Sequence, residues 1–316
     1  MKHEIKITGI LLLMFFLTQL IGLIVIDAYA PKTKTVVENG IEKNVTIAQE
    51  IPYGMQPPEA KPEISLGSIL VSLVIAILIF FLLMKLKARS LIKIWFTFVV
   101  FLTISIALTA LLMKAFPESI IRLDAVAMIL AVPLTFYKIF RRDVIVHNAT
   151  ELLVYPGLAV IFIPIMAVWS VIVLLLIISV YDIWAVWRSK LMIKLAKFQL
   201  QNMKIFTGFF VPYLPKKEML KLQEARKIKA QRTRTAKLKK IKISLALLGG
   251  GDVAFPLIFT GVIYRTSGLA PALLIIAGST IALLLLFMYS KKGKFYPAMP
   301  FITAGCLVAW LLTLLI

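Results

Sequence analysis

Long apolar runs are the feature of this sequence that most limits what it can fold into. Sixty per cent of its 316 residues are hydrophobic, whereas soluble domains are roughly 45–50% apolar. That is about 190 apolar residues, and because a membrane-spanning helix takes about 20 residues, the composition allows about nine spans. The excess excludes a soluble enzyme, a disordered chain and a collagen-like fibre.

Nine such runs can be placed along the chain, and they predict an all-α membrane protein with nine transmembrane helices. We divide it into residues 1–187 with helices one to six, a basic loop over 188–242, and residues 243–316 with helices seven to nine of the same membrane domain. The runs cover about 8–26, 66–84, 94–113, 123–137, 144–163, 164–187, 243–263, 268–289 and 297–316.

The first run ends in Ala28-Tyr29-Ala30, which resembles a signal-peptidase site. The run is longer than the roughly 7–15 residues of a signal-peptide core, so we interpret it as a retained helix, with cleavage as the alternative. A polar loop follows over residues 31–64, and its Asn44-Val45-Thr46 sequon favours a position outside the cell.

Basic residues predict the orientation. With the N-terminus inside, 29 of the 36 Lys and Arg residues fall in inner segments and seven in outer ones. Because excess Lys and Arg in cytoplasmic loops sets orientation, we expect a multi-pass protein with its N-terminus in the cytoplasm and its C-terminus outside.

The 188–242 loop carries 17 of these basic residues. Lysines recur at helical spacing between residues 190 and 204, which predicts an amphipathic helix along the membrane surface, near anionic headgroups. Residues 216–242 are uniformly basic and polar, as is typical of a solvated loop. Because no aromatic residue accompanies these charges, we do not expect nucleic acid as a partner.

Metal-binding side chains are scarce. The chain has one cysteine, Cys306, and two histidines, His3 and His147. One cysteine excludes an intrachain disulfide and a Cys-based metal cluster, and two histidines argue against a His-built metal centre. We therefore expect neither a metal nor an organic cofactor.

Acidic residues within the spans are the candidates for function, because a carboxylate in hydrocarbon costs several kcal/mol. Four of the 15 acids fall within the runs, namely Asp124, Glu151, Asp182 and Asp252. Asp124 follows Arg122 by two residues, which predicts an ion pair or an interfacial position. Glu151 lies near a poorly bounded helix start, and we interpret it as structural or interfacial.

Asp182 and Asp252 lie at similar depth on the cytoplasmic side. Asp182 is six residues from Arg188 and Asp252 is ten from Lys242, so on a helical rise they lie about 9 Å and at most about 15 Å inside. Their helices flank one loop and can be neighbours. Two buried carboxylates that meet should share a proton, as in an aspartic protease, where one activates water and the other polarises the scissile carbonyl. The alternative is a structural or ion-coupling pair.

Two segments that break regular helices lie at the same depth. Gly249, Gly250 and Gly251 precede Asp252, and their missing side chains let an extended peptide approach the carboxylate. Pro297-Ala298-Met299-Pro300 opens the ninth run, where unpaired backbone groups are tolerated only in protein or along a water-filled cavity. Tight helix packing and a Pro-rich helix start are the simpler interpretations, but the convergence at one depth favours a site.

The three motifs together resemble a known family. Tyr181-Asp182 resembles its YD motif, Gly249-Gly250-Gly251-Asp252 its GxGD motif, and Pro297-Ala298-Met299-Pro300 its PAL motif. In this order and in these spans they resemble the presenilin and signal peptide peptidase family of intramembrane aspartyl proteases. Met299 replaces the usual Leu, a volume-conserving change that should be tolerated.

The resemblance implies a presenilin-like bundle with Asp182 and Asp252 as the catalytic pair on helices six and seven. It also implies that the segment from Pro297 to Pro300 shapes the substrate side, where we place Tyr181 and the three glycines too. Eukaryotic presenilins act in a multi-subunit complex, but the compact loops here resemble a short microbial homologue. We therefore expect a stand-alone enzyme of a microbial cell membrane that acts on transmembrane substrates, preferentially those with their N-terminus outside.

Two other functions stay open from the residues alone. Prepilin-type peptidases also use an Asp and a GxGD motif, but they cut near the membrane surface and lack the PAL-like segment. An ion- or proton-coupled transporter or channel could use the same aspartates as cation sites. Transporters often repeat their broken helices in two halves, whereas the Gly and Pro breaks here crowd into the C-terminal part.

Overall fold

The computed structural model gives nine α-helices and two strand pairs in the part of the chain that it describes. The described residues are 5–30, 32–38, 41–47, 62–86, 88–141, 143–188, 207–213, 244–290 and 296–315. In chain order the elements are α1 (Ile5–Ala28), β1 (Lys32–Glu38), β2 (Ile41–Ile47), α2 (Pro62–Lys85), α3 (Arg89–Ala115), α4 (Leu123–Phe140), α5 (Val144–Phe162), α6 (Val168–Ile183), β3 (Gly208–Tyr213), β4 (Ser244–Gly249), α7 (Gly250–Ser267), α8 (Leu269–Tyr289) and α9 (Met299–Thr313).

Six helices are long and apolar enough to cross a membrane, counted over the described residues. They are α1, α3, α4, α5, α6 and α8, the last turns of α5 and α6 being extended by a 3₁₀ turn and a π turn. α9 is shorter and apolar. Each predicted run contains a helix, and the protein is an integral multi-pass membrane protein.

The seventh predicted run does not begin as a helix. Residues 244–249 form β4, which pairs antiparallel with β3 from Gly208↔Gly249 to Tyr213↔Ser244. A short apolar run bounded by glycine is compatible with either a strand or a helix. Because a strand rises about 3.3 Å per residue instead of 1.5 Å, the helical rise that gave the depth of Asp252 does not apply.

Part of the predicted 188–242 loop is therefore strand β3. The predicted amphipathic helix over residues 190–204 and the basic stretch over 216–242 lie outside the described residues. The first loop, over residues 31–64, also contains a strand pair, in which β1 and β2 run antiparallel from Lys32↔Ile47 to Glu38↔Ile41.

α7 is the central helix of the bundle. Its residues from Asp252 to Ile263 are buried except for Phe255, which is half-buried, and α1, α5, α6, α8 and α9 all pack against it. α1 also holds its first turn, because Gln19 Nε2 donates to the Val253 carbonyl at 3.1 Å. A helix buried on all sides has little freedom to tilt or shift, so the start of α7 is firmly placed.

Polar contacts join the helices at the end of the bundle away from Asp252. Asp27 accepts hydrogen bonds from Lys114 of α3 and Tyr264 of α7. Asp27 therefore belongs to α1, although the sequence placed it just after the first run. Arg122 Nη2 lies 2.9 Å from Asp124 Oδ2, which confirms the predicted ion pair.

α8 and α9 cross with their backbones in contact. A Cβ on Gly305 would lie 2.5 Å from the Gly278 carbonyl oxygen, and one on Gly278 would lie 2.6 Å from the Gly305 carbonyl oxygen. Small residues at such crossings let membrane helices gain van der Waals contact. This crossing holds α9, including its first residue Met299, against the rest of the bundle.

We expect Gly305→Ala to lower the thermal stability of the purified protein in detergent, because overpacking costs about 1–3 kcal/mol. Gly9→Ala is the matched control, since a Cβ there meets nothing within 4 Å. It should be neutral or stabilising, because Ala is favoured over Gly in helices by about 1 kcal/mol. Shifts of the same sign and size in the two unfolding curves would contradict this packing.

Candidate active site

Asp182 lies in the last turn of α6 and is 4% exposed. Its Oδ2 accepts a hydrogen bond from the backbone N–H of Met299 at 3.1 Å. Met299 is the first residue of α9, and the first N–H groups of a helix have no partner within it. The start of α9 thus supplies a donor that a buried carboxylate requires.

A second contact between α6 and α9 lies one turn away from the first. The hydroxyls of Ser179 and Thr303 are 2.8 Å apart, and both side chains are buried. Because Ser179 precedes Asp182 by three residues and Thr303 follows Met299 by four, the two contacts lie along the same pair of helix faces. The PAL-like segment is therefore held against the helix that carries Asp182.

Asp252 lies in the first turn of α7 and is 8% exposed. A Cβ built on Gly249 would lie 3.0 Å from its Oδ2, so the carboxyl group rests directly against that glycine. The carboxyl also interacts with the backbone of Gly249. The N-terminal end of a helix carries partial positive charge, which favours a carboxylate there.

The two aspartates interact across the contact between α6 and α7. The charge of Asp182 acts on Asp252, and the two helices pack against each other. Both side chains are buried, and each interacts with a backbone group, Asp182 with the Met299 N–H and Asp252 with Gly249. Chemically, such a pair can share one proton and act as acid and base on the same bound group.

The structure adds Tyr155 of α5, which was not predicted from the sequence. Its side chain is buried, and its hydroxyl would lie 2.9 Å from a Cβ on Gly250. It lies within electrostatic range of Glu151 and Asp252. A side chain at position 250 would therefore press against Tyr155.

The remaining predicted site residues are placed as follows. Tyr181 is 44% exposed, and its ring lies 6.2 Å from that of Trp184, on the outer side of α6. Gly251 is exposed, and a Cβ added to it would lie 3.5 Å from the Phe255 ring. In the PAL-like segment, Pro297 and Met299 are buried, while Ala298 and Pro300 are half-buried.

Glu151 belongs to a buried ion pair. Its Oε1 lies 2.7 Å from Lys138 Nζ of α4, and both side chains are 1% exposed. This agrees with a structural role for Glu151. Within the described parts of the chain, no group of three or more His, Cys, Asp or Glu residues is placed to hold a metal ion.

Comparison with known families identifies the chain. The family model described as signal-peptide peptidase, presenilin aspartyl protease matches residues 45–316. The chain belongs to this family. The match includes both aspartates, the three glycines and the PAL-like segment, so the resemblance drawn from the motifs is confirmed.

Solved structures have the same fold as this presenilin-family chain. One is a presenilin family intramembrane aspartate protease in a C222 crystal, with a TM-score of 0.62 at 20% identity, covering 98% of this chain and 99% of that one. The same description in a P2 crystal gives a TM-score of 0.58 at 20% identity and 96% coverage of both chains. A comparison with curated protein sequences gave no significant match.

In this presenilin-family site we expect Gly250→Ala to lower thermal stability, because its methyl group would collide with the Tyr155 hydroxyl. The adjacent Gly251→Ala should be nearly neutral, since its methyl group would make an ordinary 3.5 Å contact. Adding Tyr155→Phe to Gly250→Ala removes the nearest atom and should restore part of the loss. Unfolding in detergent measures all three, and additive effects of the two substitutions would contradict the contact.

Proposed function

We propose that this protein is an intramembrane aspartyl endopeptidase that hydrolyses peptide bonds within the transmembrane segments of other proteins. Asp182 and Asp252 are its catalytic residues. The observation that carries the proposal is that two buried carboxylates lie on helices α6 and α7, which pack against each other, and that each carboxylate lies at the start of a helix. Membership of the family supports the same conclusion.

The reaction needs only the two side chains and one water molecule. With one proton between them, the ionised aspartate takes a proton from water, and the water oxygen attacks the scissile carbonyl carbon. The protonated aspartate gives its proton to the carbonyl oxygen, which forms a neutral diol. When the diol collapses, the C–N bond breaks, the amine nitrogen takes a proton from one aspartic acid, and one diol hydroxyl returns its proton to the other aspartate as its oxygen becomes the carbonyl of the new carboxyl group. The pair then again holds one proton. No metal or organic cofactor takes part in these steps.

The strand pair before α7 supports a mode of substrate binding. A helical substrate must be unwound before its amide can be attacked, and an extended segment can pair with an exposed strand edge. In the β3–β4 register, Gly208 and Phe210 direct their backbone groups away from β4, because both bind side chains of α5. The residues paired with them on β4, Gly249 and Leu247, therefore also direct their backbone N–H and C=O groups outward.

The outer edge of β4 is the free one. Its outward groups belong to Leu245 and Leu247, and no hydrogen bond from the described residues reaches them. β4 leads directly into Gly249 and Asp252. We infer that the substrate adds as a third strand along β4, with its scissile bond carried toward the aspartates. Gly251 is exposed and leaves room for this approach, and the PAL-like segment borders the site at Asp182.

The charge distribution supports an orientation for the enzyme and its substrates. We infer that the N-terminus is cytoplasmic, so β4 runs from the cytoplasmic side toward Asp252. A substrate with its N-terminus outside runs the opposite way and would pair antiparallel with β4. Antiparallel pairing is slightly more stable than parallel pairing, which favours such substrates.

The protein's other partners follow from its surface and length. From its composition we infer that the basic 188–242 segment attracts anionic headgroups of the cytoplasmic leaflet, where each Lys or Arg would gain about 1 kcal/mol. We infer that the enzyme works without obligate subunits. The compact loops of the chain, which resemble those of a short microbial homologue, support that inference.

We expect Asp182→Ala and Asp252→Ala each to abolish cleavage of a single-span reporter by the purified protein, because either change removes the acid or the base. The effect should exceed about a thousandfold. Asp124→Asn is the matched control, since Asp124 pairs with Arg122 away from the site. It should cleave like the wild type. Fragments are identified by mass spectrometry.

The same assay tests the class of protein and the orientation. Cleavage that persists in either alanine variant would remove that aspartate from the chemistry, and an uncut reporter with the wild type would contradict the proposed function. In liposomes, a reporter inserted with its N-terminus on the side of the enzyme's cytoplasmic loop should be cut more slowly. Equal rates for both insertions would contradict the inferred substrate orientation.

Leu247→Pro tests strand addition, because it removes one outward N–H of β4 while leaving the β3–β4 ladder intact. Proline is tolerated at such an edge position. We expect KM to rise about tenfold or more, since one hydrogen bond with substrate is lost. Leu247→Ala keeps the N–H and should change KM much less. An equal effect of both variants would show that the side chain, not the edge, binds substrate.

A further inference from the structure

α5 presents a line of polar side chains to strand β3. His147, Asn148 and Glu151 are all buried, although α5 is otherwise an apolar membrane helix. Lys138 of α4 completes the group through its ion pair with Glu151. We call His147, Asn148, Glu151 and Lys138 the α5 clamp. Buried polar groups of this number are costly unless each has a partner, and here the partner is the backbone of β3.

Asn148 binds Phe210 as a neighbouring strand would. Its Nδ2 donates to the Phe210 carbonyl at 2.9 Å, and its Oδ1 accepts from the Phe210 N–H at 3.2 Å. A side-chain amide has the donor and the acceptor that a peptide group has. The pair therefore reproduces one rung of a strand ladder between a helix side chain and β3.

Gly208, two residues earlier on the same edge, is held in the same manner by two side chains. His147 Nε2 donates to the Gly208 carbonyl at 2.9 Å, and the Gly208 N–H donates to Glu151 Oε1 at 3.4 Å. Two residues later the edge position is Pro212, which has no N–H. The outer edge of β3 is thus bonded to side chains at two positions, and its third position offers no N–H to an added strand.

Ring contacts extend the clamp toward the aspartates. The His147 ring lies 4.8 Å from that of Phe210, and the Tyr155 ring lies 5.8 Å from that of Phe209. Tyr155 in turn rests against Gly250, two residues before Asp252. One face of α5 therefore contacts both the strand pair and the start of α7.

We propose that the α5 clamp sets which peptide bond is cut, because it fixes the register of the β3–β4 pair relative to Asp252. Asn148 and His147 are positioning residues that act through β3 and touch neither the substrate nor the aspartates. The inference rests on the proposed protease function. Closing the β3 edge also leaves β4 as the edge on which a substrate strand can add.

The physical link is strand register. A shift of one residue moves a strand by about 3.3 Å and turns each side chain to the other face. If β3 loses its hold on α5, β4 can shift relative to the start of α7, and the bound substrate shifts with it. Substrate peptide bonds on either side of the wild-type cut then come within reach of Asp182 and Asp252.

The experiment compares four variants of the full-length enzyme on the single-span reporter. Asn148→Leu has a similar volume and loses both bonds with Phe210. His147→Leu loses the donor to Gly208, whereas His147→Gln keeps an amide donor at similar reach. Thr150→Val is the matched control, because Thr150 is buried on the same turn but bonds only to carbonyls of its own helix. Cut positions, kcat and KM are measured for each.

We expect Asn148→Leu and His147→Leu to spread cleavage over neighbouring bonds and to lower kcat/KM about tenfold. His147→Gln and Thr150→Val should cut at the wild-type bond. A lower yield at unchanged bonds, or the same spread in Thr150→Val, would overturn the inference while leaving the protease function intact. If Asn148→Leu does not fold, the comparison of His147→Leu with His147→Gln tests the inference without it. A wild type that cuts nothing would overturn the proposed function and this inference with it.

Discussion

The candidate site depends on two helices that begin inside the bundle and not at its surface. α9 starts at Met299 after a Pro-rich segment, and α7 starts after a strand and Gly249. Each start leaves backbone N–H groups without partners in the helix. In hydrocarbon such groups need a partner, and a buried carboxylate needs donors. Asp182 and Asp252 meet both needs at once, so the helix breaks and the acids stabilise each other.

Much of this arrangement could be predicted from the sequence, because its strongest signals are local. Runs of about 20 apolar residues predicted the helices. Asp182 and Asp252 stood out because a carboxylate within such a run is costly, and the motif around each gave the family. The ion pair of Asp124 with Arg122 could also be predicted, because the two residues are only two positions apart in the chain.

The rest depended on contacts between residues far apart in the chain. The apolar stretch of β4 could have continued α7 as a helix, and what makes it a strand is its pairing with β3, some 36 residues earlier. Asn148 binds a residue 62 positions away, and the sequence around Asn148 does not indicate which residue that is. A weak signal existed: polar residues at 147, 148, 151 and 155 share one face of an otherwise apolar helix. Such a face predicts a buried polar contact without naming its partner.

If a substrate strand adds to β4 as we propose, the outer edge of β4 would be hydrated while no substrate is bound. Lipid tails offer no hydrogen bonds, so water would have to reach the outward groups of Leu245 and Leu247, to which no described residue bonds. If Asp252 is catalytic as we propose, the same water would lie beside it and would supply one reactant at the place that the substrate strand would occupy. A pairing strand would expel the surplus and leave the dyad in a less polar enclosure, where charges interact more strongly. Binding of a substrate strand would thus also remove water from the site around Asp252.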